Sequence, residues 1–477
     1  MSAIAARYLW QLSASEASTL MESRKVSPVE LLDAVLERYD RLNPLLNAIV
    51  ALDADGARDA ARESEQRMMQ GKRASPLDGV PITIKDNIHV KGFRATWGSL
   101  LYRDFLPPRD DIAVARLRAA GVVIVGKTNT PEFALSGFTD NRVFGPTRNP
   151  WDTGMTPGGS SGGAVSALAV GMAPLALGTD AGGSIRRPAS YTSTVGLRPS
   201  TGRIARAHGF PGLAGDFQVI APAARTVADI ELLYRCMSGP DPLDPASLAC
   251  AAMSDGSGER SRRLRIRCVT SVGDTPIDQE IVSEVRAAAA VLGSLGHQVE
   301  EGSAPYDPDT IDGIWGTLSA VGLARVVAKH PDWRERVHPT SVVTGERGAA
   351  ITAVQYVEAL DAVIELRRKI AQEFEVFDVL VTPTSGAHPW PIGIPYPKQI
   401  DGRPAGPRSS AVFTTFVNAA ALPAINVPIT PSASGMPIGM QLIARYGADE
   451  TLLSLAREFE SARPWSARWP KIALISP

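Results

Sequence analysis

Two glycine-rich segments and one lysine carry the residue types that could perform acyl transfer. Ser160 lies within Gly158–Gly163 (GGSSGG), Ser184 closes the segment GTDAGGS, and Lys85 follows the apolar-flanked Ile82–Ile84. A serine hydroxyl becomes an effective nucleophile only when a neighbouring base takes its proton. None of the six histidines stands in a motif that would supply this base. A lysine can do so if burial lowers its pKa from about 10.4 towards 7.

The same three side chains offer a route for the proton. The Ser160 hydroxyl can accept a hydrogen bond from Ser184 and donate one to Lys85. Amide hydrolysis needs the proton delivered to the departing nitrogen, because an amide anion is a very poor leaving group. Lowering the lysine pKa by about three units corresponds to roughly 4 to 5 kcal/mol, so we expect Lys85 in an enclosed site at the end of a buried strand.

Together these segments resemble the signature of the amidase-signature family of hydrolases. The spacing from Gly158 to Pro188 agrees with that signature at nearly every constrained position, and Val165 is the visible departure. Supporting blocks extend along most of the chain: LDGVPITIKDNI, VGKTNTPEFA, FGPTRNPWD, VGLRPSTGRI, PAINVPI and GMPIGMQLIA. The stretch from about 240 to 400 lacks clear landmarks of this kind.

The resemblance implies a fold and a division of the chain. It implies one α/β domain over residues 1–477, with a twisted, mixed β-sheet covered by helices on both faces. The catalytic core would span about 75–235 and 405–465, and a variable, substrate-facing region about 240–400. No organic cofactor is implied, and the chain contains no HExxH or other metal-ligand spacing.

The resemblance also implies a role for each residue of the site. Ser184 would attack the amide carbonyl, Ser160 would relay the proton and have a cis peptide bond, and Lys85 would be the general base. Backbone N–H groups would bind the oxyanion, and the residues that contribute them would be Ala181, Gly182, Gly183 and Ser184. Three neighbours would orient the nucleophile loop or serve a purely structural role: Thr179, Asp180 and Arg186.

One short segment and the glycine before Ser160 are the candidates for binding substrate. Ala134–Gly137 (ALSG) resembles a stretch that lines the acyl pocket in relatives, so Ala134, Leu135, Ser136 and Gly159 are candidate substrate-binding residues. Their small and mostly apolar character favours an uncharged aryl or aliphatic carboxamide, or an ester or carbamate. The alternative is that these residues only pack the core.

Two other enzymatic functions remain open. The chain also resembles the catalytic subunit of glutamyl-tRNA amidotransferase, a glutaminase that serves a partner subunit, but its last third shows no clear acid and arginine pair to hold an amino acid. Gly158–Gly162 also fits the GxSxG nucleophile elbow of Ser-His α/β-hydrolases, with Ser160 as nucleophile. An elbow follows a hydrophobic strand, however, and Asn149–Pro157 cannot form one. A non-enzymatic binding protein is disfavoured because all three triad residues are present.

The elements that must position the site follow an α/β order. Ser13 and Ser27 carry capping signals that predict two amphipathic helices before residue 45. The sequence predicts two short buried strands, over Val80–Lys85 and Val122–Val125, with a helix over Ile112–Ala120 between them. The second strand lies within GVVIVGKT, which matches the phosphate-loop pattern, but a loop cannot form where β-branched residues make the strand.

The later part of the chain gives fewer signals. LRIRCVT, a helix near 277–295 and HQVEEG predict a β-α-β unit. The basic run Arg262–Arg267 is interpreted as an edge strand with one solvated face rather than a nucleic-acid site. Ser254–Arg263 reads as a linker or surface loop, and Pro383–Pro407 as a long irregular loop.

Composition and charge limit the classes of partner. Hydrophobic residues make up 44% and charged residues 21% of the 477, as in ordinary globular proteins. Lysine and arginine number 49 against 50 acidic residues, so no field gathers nucleic acid or an anionic membrane. Cys236, Cys250 and Cys268 form no CxxC pair, and the start shows no signal-peptide pattern. We therefore expect a cytoplasmic protein with a small amide as its partner, and leave a homodimer open.

Overall fold

The computed structural model describes residues 8–249 and 263–474, whose strands form one large sheet and a small hairpin. The strands are β1 (Ile49–Leu52), β2 (Pro81–Lys85), β3 (Val123–Thr128), β4 (Leu175–Asp180), β5 (Val195–Arg198), β6 (Val219–Ala224), β7 (Arg265–Cys268), β8 (Gln298–Glu301), β9 (Val379–Pro383), β10 (Gln399–Ile400), β11 (Arg403–Pro404), β12 (Ala424–Pro428) and β13 (Gly439–Ala444). The helices are α1 (Ala14–Glu22), α2 (Pro28–Leu46), α3 (Ala54–Met69), α4 (Ile112–Ala119), α5 (Gly162–Ala169), α6 (Arg186–Ser190), α7 (Val227–Met237), α8 (Pro245–Leu248), α9 (Gln279–Ser294), α10 (Pro308–Val327), α11 (Trp333–Arg336), α12 (Pro339–Ala350), α13 (Ala353–Glu373), α14 (Thr415–Ala419), α15 (Asp449–Ala462) and α16 (Lys471–Leu474).

The large sheet has eleven strands and is mixed, as predicted. Its order is β1-β3-β2-β4-β6-β5-β12-β13-β9-β7-β8, and the hairpin pairs β10 with β11. β2 runs parallel to both β3 and β4, and β7 runs parallel to both β8 and β9, whereas the other neighbours are antiparallel. Because parallel strands end at the same edge of a sheet, the carboxyl ends of β2 and β4 lie side by side.

Side chains that alternate along the strands enter separate cores on the two faces. Leu175 and Leu177 of β4 pack in a large cluster with residues of α7, α9 and α15. Ala176, between them, packs instead with residues of α5 and α6. Successive strand side chains point to opposite faces, so helices cover both faces and the predicted fold class is confirmed. One sheet takes strands from Ile49 to Ala444, which makes the chain a single domain. The boundaries of core and variable region stay predictions.

Most locally encoded elements occur where the sequence predicts them. Ser13 and Ser27 form capping boxes at the starts of α1 and α2. The phosphate-loop pattern falls mainly on the buried strand β3, as expected. The β-α-β unit is also confirmed, because β7 and β8 pair in parallel and α9 connects them. Pro383–Pro407 is irregular apart from the β10–β11 hairpin.

The edge-strand interpretation of the basic run is wrong. β7 lies between β9 and β8, so it is the second strand from the edge. Its arginines are explained by acidic partners: Arg265 pairs with Asp378 and Arg267 with Glu373.

Most of the predicted linker, together with Arg262, lies outside the described residues. Within residues 8–249 and 263–474, no helix has the length and apolar character needed to cross a membrane.

Candidate active site

Lys85 is the last residue of β2 and is fully buried. Its Nζ donates to Ser160 Oγ at 2.6 Å and to Thr179 Oγ1 at 3.0 Å. Thr179 lies near the end of β4, beside β2, and its hydroxyl also accepts from Asn87 at 3.0 Å. The parallel pairing of β2 with β4 therefore brings the lysine to the serine loop.

The surroundings of Lys85 favour the neutral amine. Burial lowers the pKa of Lys85 well below its usual value, and the charge of Asp180 opposes this in part. In the part of the chain that the structure describes, no carboxylate forms an ion pair with Lys85. A buried ammonium without such a partner is disfavoured, because desolvation acts against the charged form.

Ser160 follows the cis peptide bond Gly159–Ser160, the form that the family resemblance implies. Gly159 packs so tightly on the backbone of Phe138 that a Cβ there would lie 2.8 Å from the Phe138 nitrogen. Among the described residues no strand enters Ser160 from Asn149–Pro157, and Lys85, not a histidine, donates to its hydroxyl. The nucleophile-elbow alternative therefore lacks its structural context.

Ser184 lies just beyond the end of β4 and faces the loop that carries Ser160. The Ser161 N–H donates to the Ser184 carbonyl at 3.0 Å, which joins the two loops. Over residues 8–249 and 263–474, no hydrogen bond connects the Ser160 and Ser184 hydroxyls themselves. Catalytic hydrogen bonds are often long without substrate, so the arrangement is compatible with the predicted relay.

The loop from Ala181 to Ser184 exposes backbone donors to the site. The Gly183 N–H, one of the predicted oxyanion donors, instead donates to Asp180 Oδ1 at 2.8 Å. In the described part of the chain, the N–H groups of Ala181, Gly182 and Ser184 have no protein acceptor. Gly183 has φ +102°, and a Cβ there would collide with Thr414.

An ion pair under this loop holds its shape. Arg186 donates to Asp180 through Nε at 3.0 Å and Nη2 at 2.9 Å, and both side chains are fully buried. Burial alone would raise the pKa of Asp180, but the charges of Arg186 and Arg198 and the bond from Asn418 hold it below its usual range. Arg186 also donates to Gln441 at 2.6 Å. The geometry places Thr179, Asp180 and Arg186 around the nucleophile loop.

The predicted substrate-binding segment runs from an aromatic cluster to the serine loop. Ala134 and Leu135 pack against the cluster that includes Trp97, Phe133 and Phe210. Ser136 and Gly137 are part-exposed and continue towards Phe138, which contacts Gly159. The segment Ala134–Gly137 therefore leads directly to Phe138, whose backbone packs on the glycine before Ser160.

Sequence reasoning missed several residues of this site. Thr414 donates to the Gly182 carbonyl at 3.0 Å, and Asn418 donates to Asp180 Oδ1 at 2.9 Å. The Trp315 ring lies 3.4 Å from the position that a Cβ on Gly182 would take. No local signal marks these three positions. Gln441, in contrast, lies within the block GMPIGMQLIA, which did point to the family.

Comparisons with known proteins agree with this geometry. The family model described as Amidase matches residues 30–453. A glutamyl-tRNA(Gln) amidotransferase subunit of Synechococcus sp. (strain CC9605) is 35% identical over 95% of this chain and 97% of its own. The acylamidase of Rhodococcus erythropolis is 35% identical over 97% and 98%, respectively. The crystal structure of a bacterial aryl acylamidase has a TM-score of 0.90 at 30% identity, covering 98% of this chain and 99% of that one. This chain belongs to the amidase-signature family of amide hydrolases.

Proposed function

We propose that this enzyme hydrolyses small carboxamides through an acyl-enzyme on Ser184. The observation that carries the proposal is the fully buried Lys85, whose Nζ lies 2.6 Å from Ser160 Oγ. A neutral amine at this position can accept the Ser160 proton while Ser160 takes the proton of Ser184. The nucleophile therefore needs no histidine.

The reaction then proceeds in two halves. Ser184 Oγ attacks the amide carbonyl, and the oxyanion is bound by the N–H groups of Ala181, Gly182 and Ser184, each worth about 3 to 4 kcal/mol in such sites. Ser160 passes the proton to the leaving nitrogen and regains one from Lys85. Water then attacks the acyl-enzyme, Ser160 and Lys85 take its proton and return it to Ser184 Oγ, and the acid leaves. Esters and carbamates would follow the same steps.

A glutaminase that serves a partner subunit is the second candidate. The 35% identity to an amidotransferase subunit supports it. So does an acid and arginine pair near the site, Asp312 with Arg408, which was not recognised in the sequence. Each already binds the other, so a free amino acid would have to break the pair. Ammonia release from glutamine, alone and with candidate partner subunits, tests this function.

Covalent labelling tests the main proposal. A fluorophosphonate followed by peptide mapping should modify Ser184, whereas modification of Ser160 would overturn the assignment. Lys85→Ala and Lys85→Arg should each abolish amide turnover at neutral pH, because arginine cannot give up its proton. Normal turnover in Lys85→Arg would refute the lysine base.

We further propose a cytoplasmic location, which is supported by Cys236 and Cys268 being free thiols.

A further inference from the structure

Arg187 is a buried cation close to the nucleophile along the chain. It belongs to α6, three residues after Ser184, and only 8% of its surface is exposed. Its Nε is buried without a hydrogen-bond partner. Across residues 8–249 and 263–474, no carboxylate forms an ion pair with its guanidinium. The adjacent Arg186, in contrast, is fully matched by Asp180.

The guanidinium of Arg187 lies against the predicted substrate-binding segment. Its Nη1 is 2.8 Å from the position that a Cβ on Gly137 would take, so a larger residue there would displace it. The Arg187 N–H donates to the Gly183 carbonyl at 2.9 Å, which makes one helical turn of this stretch. Residues three apart on a helix have Cβ atoms roughly 5 to 6 Å apart. Because this turn spans both residues, we expect the side chains of Ser184 and Arg187 on the same side of it.

A second arginine, Arg408, lies near this place and is paired with Asp312. Burial lowers the pKa of Arg187 to about 10, and the charge of Arg408 contributes to the lowering. Arg187 thus stays charged at neutral pH. Arg408 donates to Thr415 Oγ1 at 2.6 Å, and that oxygen is 3.6 Å from the Cβ position of Gly182. The two cations therefore flank the nucleophile loop, and only Arg408 has an acidic partner, Asp312.

Buried arginines that serve the architecture look different in this protein. Arg198 donates to the carbonyls of Pro199 and Leu422, and Arg38 donates to those of Val170 and Ala473. A buried charge is costly unless it is paired and hydrogen-bonded. Among the buried arginines that the structure describes, Arg187 alone donates no side-chain hydrogen bond, and it stands three residues after the reacting serine. Its missing partner is best supplied by the substrate.

We propose that Arg187 binds a carboxylate of the substrate, so that the preferred amides carry a carboxylate on a short acyl chain. The planar guanidinium presents paired N–H groups that match the two oxygens of a carboxylate. This inference rests on the proposed function and replaces the uncharged substrate predicted from Ala134–Gly137. The apolar side chains there would then contact the short methylene chain.

Matched substrate pairs test the proposal. Succinamate is compared with butanamide, and glutaramate with pentanamide, by ammonia release at fixed ionic strength. In the unaltered enzyme, kcat/KM should favour the carboxylated member by roughly 10- to 100-fold, as for a hydrogen-bonded charged group. Arg187→Gln should remove this preference, and Arg187→Lys should keep part of it. Because each ratio is measured within one protein, loss of folded enzyme cancels. Arg62→Gln, at an exposed arginine, changes the net charge equally and should leave the ratio unchanged.

Binding gives a second measurement that needs no turnover. Ser184→Ala protein should bind succinamate more tightly than butanamide in calorimetry, and adding Arg187→Gln should abolish the difference. Equal kcat/KM within each pair, or equal binding, would overturn the carboxylate site while amide turnover still supports the proposed function. If instead the fluorophosphonate fails to modify Ser184, the proposed function falls, and binding to the Ser184→Ala protein still decides the role of Arg187.

Discussion

Asp180→Asn tests how the charges under the nucleophile loop act on the lysine base. The substitution keeps the size of a fully buried side chain and removes its charge. Asp180 accepts from the N–H groups of Gly183 and Ile185, from Arg186 and from Asn418. Its charge also raises the pKa of Lys85, against the larger effect of burial. One change therefore perturbs both stability and catalysis.

The structure sets the size of the first effect and the direction of the second. Without Asp180, the Arg186 charge is unpaired in the interior, and removing one partner of a buried pair costs about 3 to 5 kcal/mol. Total stabilities are typically about 5 to 15 kcal/mol, so a folded enzyme is expected at 25 °C. The lost negative charge and the unpaired Arg186 both favour the neutral amine. The pKa of Lys85 should therefore fall further.

The pH dependence of kcat/KM measures this change in the pKa of Lys85. A base acts when deprotonated, so kcat/KM falls as the pH drops below the pKa of Lys85 in the free enzyme. A lower pKa in Asp180→Asn moves this acid limb to lower pH. Urea denaturation measures the accompanying loss of stability. The maximal rate should also fall, because the Gly183 N–H loses a charged acceptor.

Asp229→Asn is the matched control. Asp229 is also fully buried and accepts from the N–H groups of Ala14 and Ser15, at 3.1 and 2.8 Å, far along the chain from the triad. This variant should lose about 1 to 3 kcal/mol of stability and show no shift of the acid limb. An acid limb that stays in place or moves to higher pH in folded Asp180→Asn enzyme would refute the proposed action of Asp180 on Lys85.

Two further substitutions probe the lysine and the loop. Thr179→Val removes the hydroxyl that accepts from both Lys85 Nζ and Asn87 Nδ2, each at 3.0 Å. The variant should show a kcat/KM about tenfold lower. Its free energy of unfolding, measured by urea denaturation, should fall by about 1 to 3 kcal/mol. Wild-type kcat in Thr179→Val would contradict a positioning role. Gly183→Ala introduces a Cβ at φ +102°, against Thr414, and should lower kcat by about 10² to 10³ with little change in KM, since it displaces the oxyanion donors. A larger effect on KM than on kcat would argue against that hole.

The parts of the fold that could be predicted are those encoded by nearby residues. Ser13 and Ser27 each satisfy a helix start with a glutamate three positions later, so both caps are visible in the sequence. Strand order is different, because it depends on partners far away in the chain. Nothing in the run up to Arg267 indicates that β8 continues the sheet beyond β7, and the edge assignment failed for this reason.

The same distinction applies to the site. The triad residues lie in glycine-rich and apolar segments whose spacing is recognisable, whereas Asn418 and Thr414 reach the loop from more than 200 positions away. One local feature of the sequence does indicate part of this arrangement. Asp180 stands three residues before Gly183, and an aspartate often accepts from a backbone N–H this far ahead. That bond occupies the Gly183 donor that the resemblance assigns to the oxyanion.

The proposed carboxylate site also affects the balance of charge at the centre of the enzyme. Burial favours neutral Lys85, and Asp180 with Arg186 forms a neutral pair, so neither contributes net charge. Arg187, three residues after Ser184, then remains as a positive charge with no ion-pair partner among the described residues. Such a charge disfavours protonation of a nearby amine and stabilises an oxyanion. A substrate carboxylate would neutralise it, so the acid limb of kcat, measured with bound substrate, should lie at higher pH for succinamate than for butanamide.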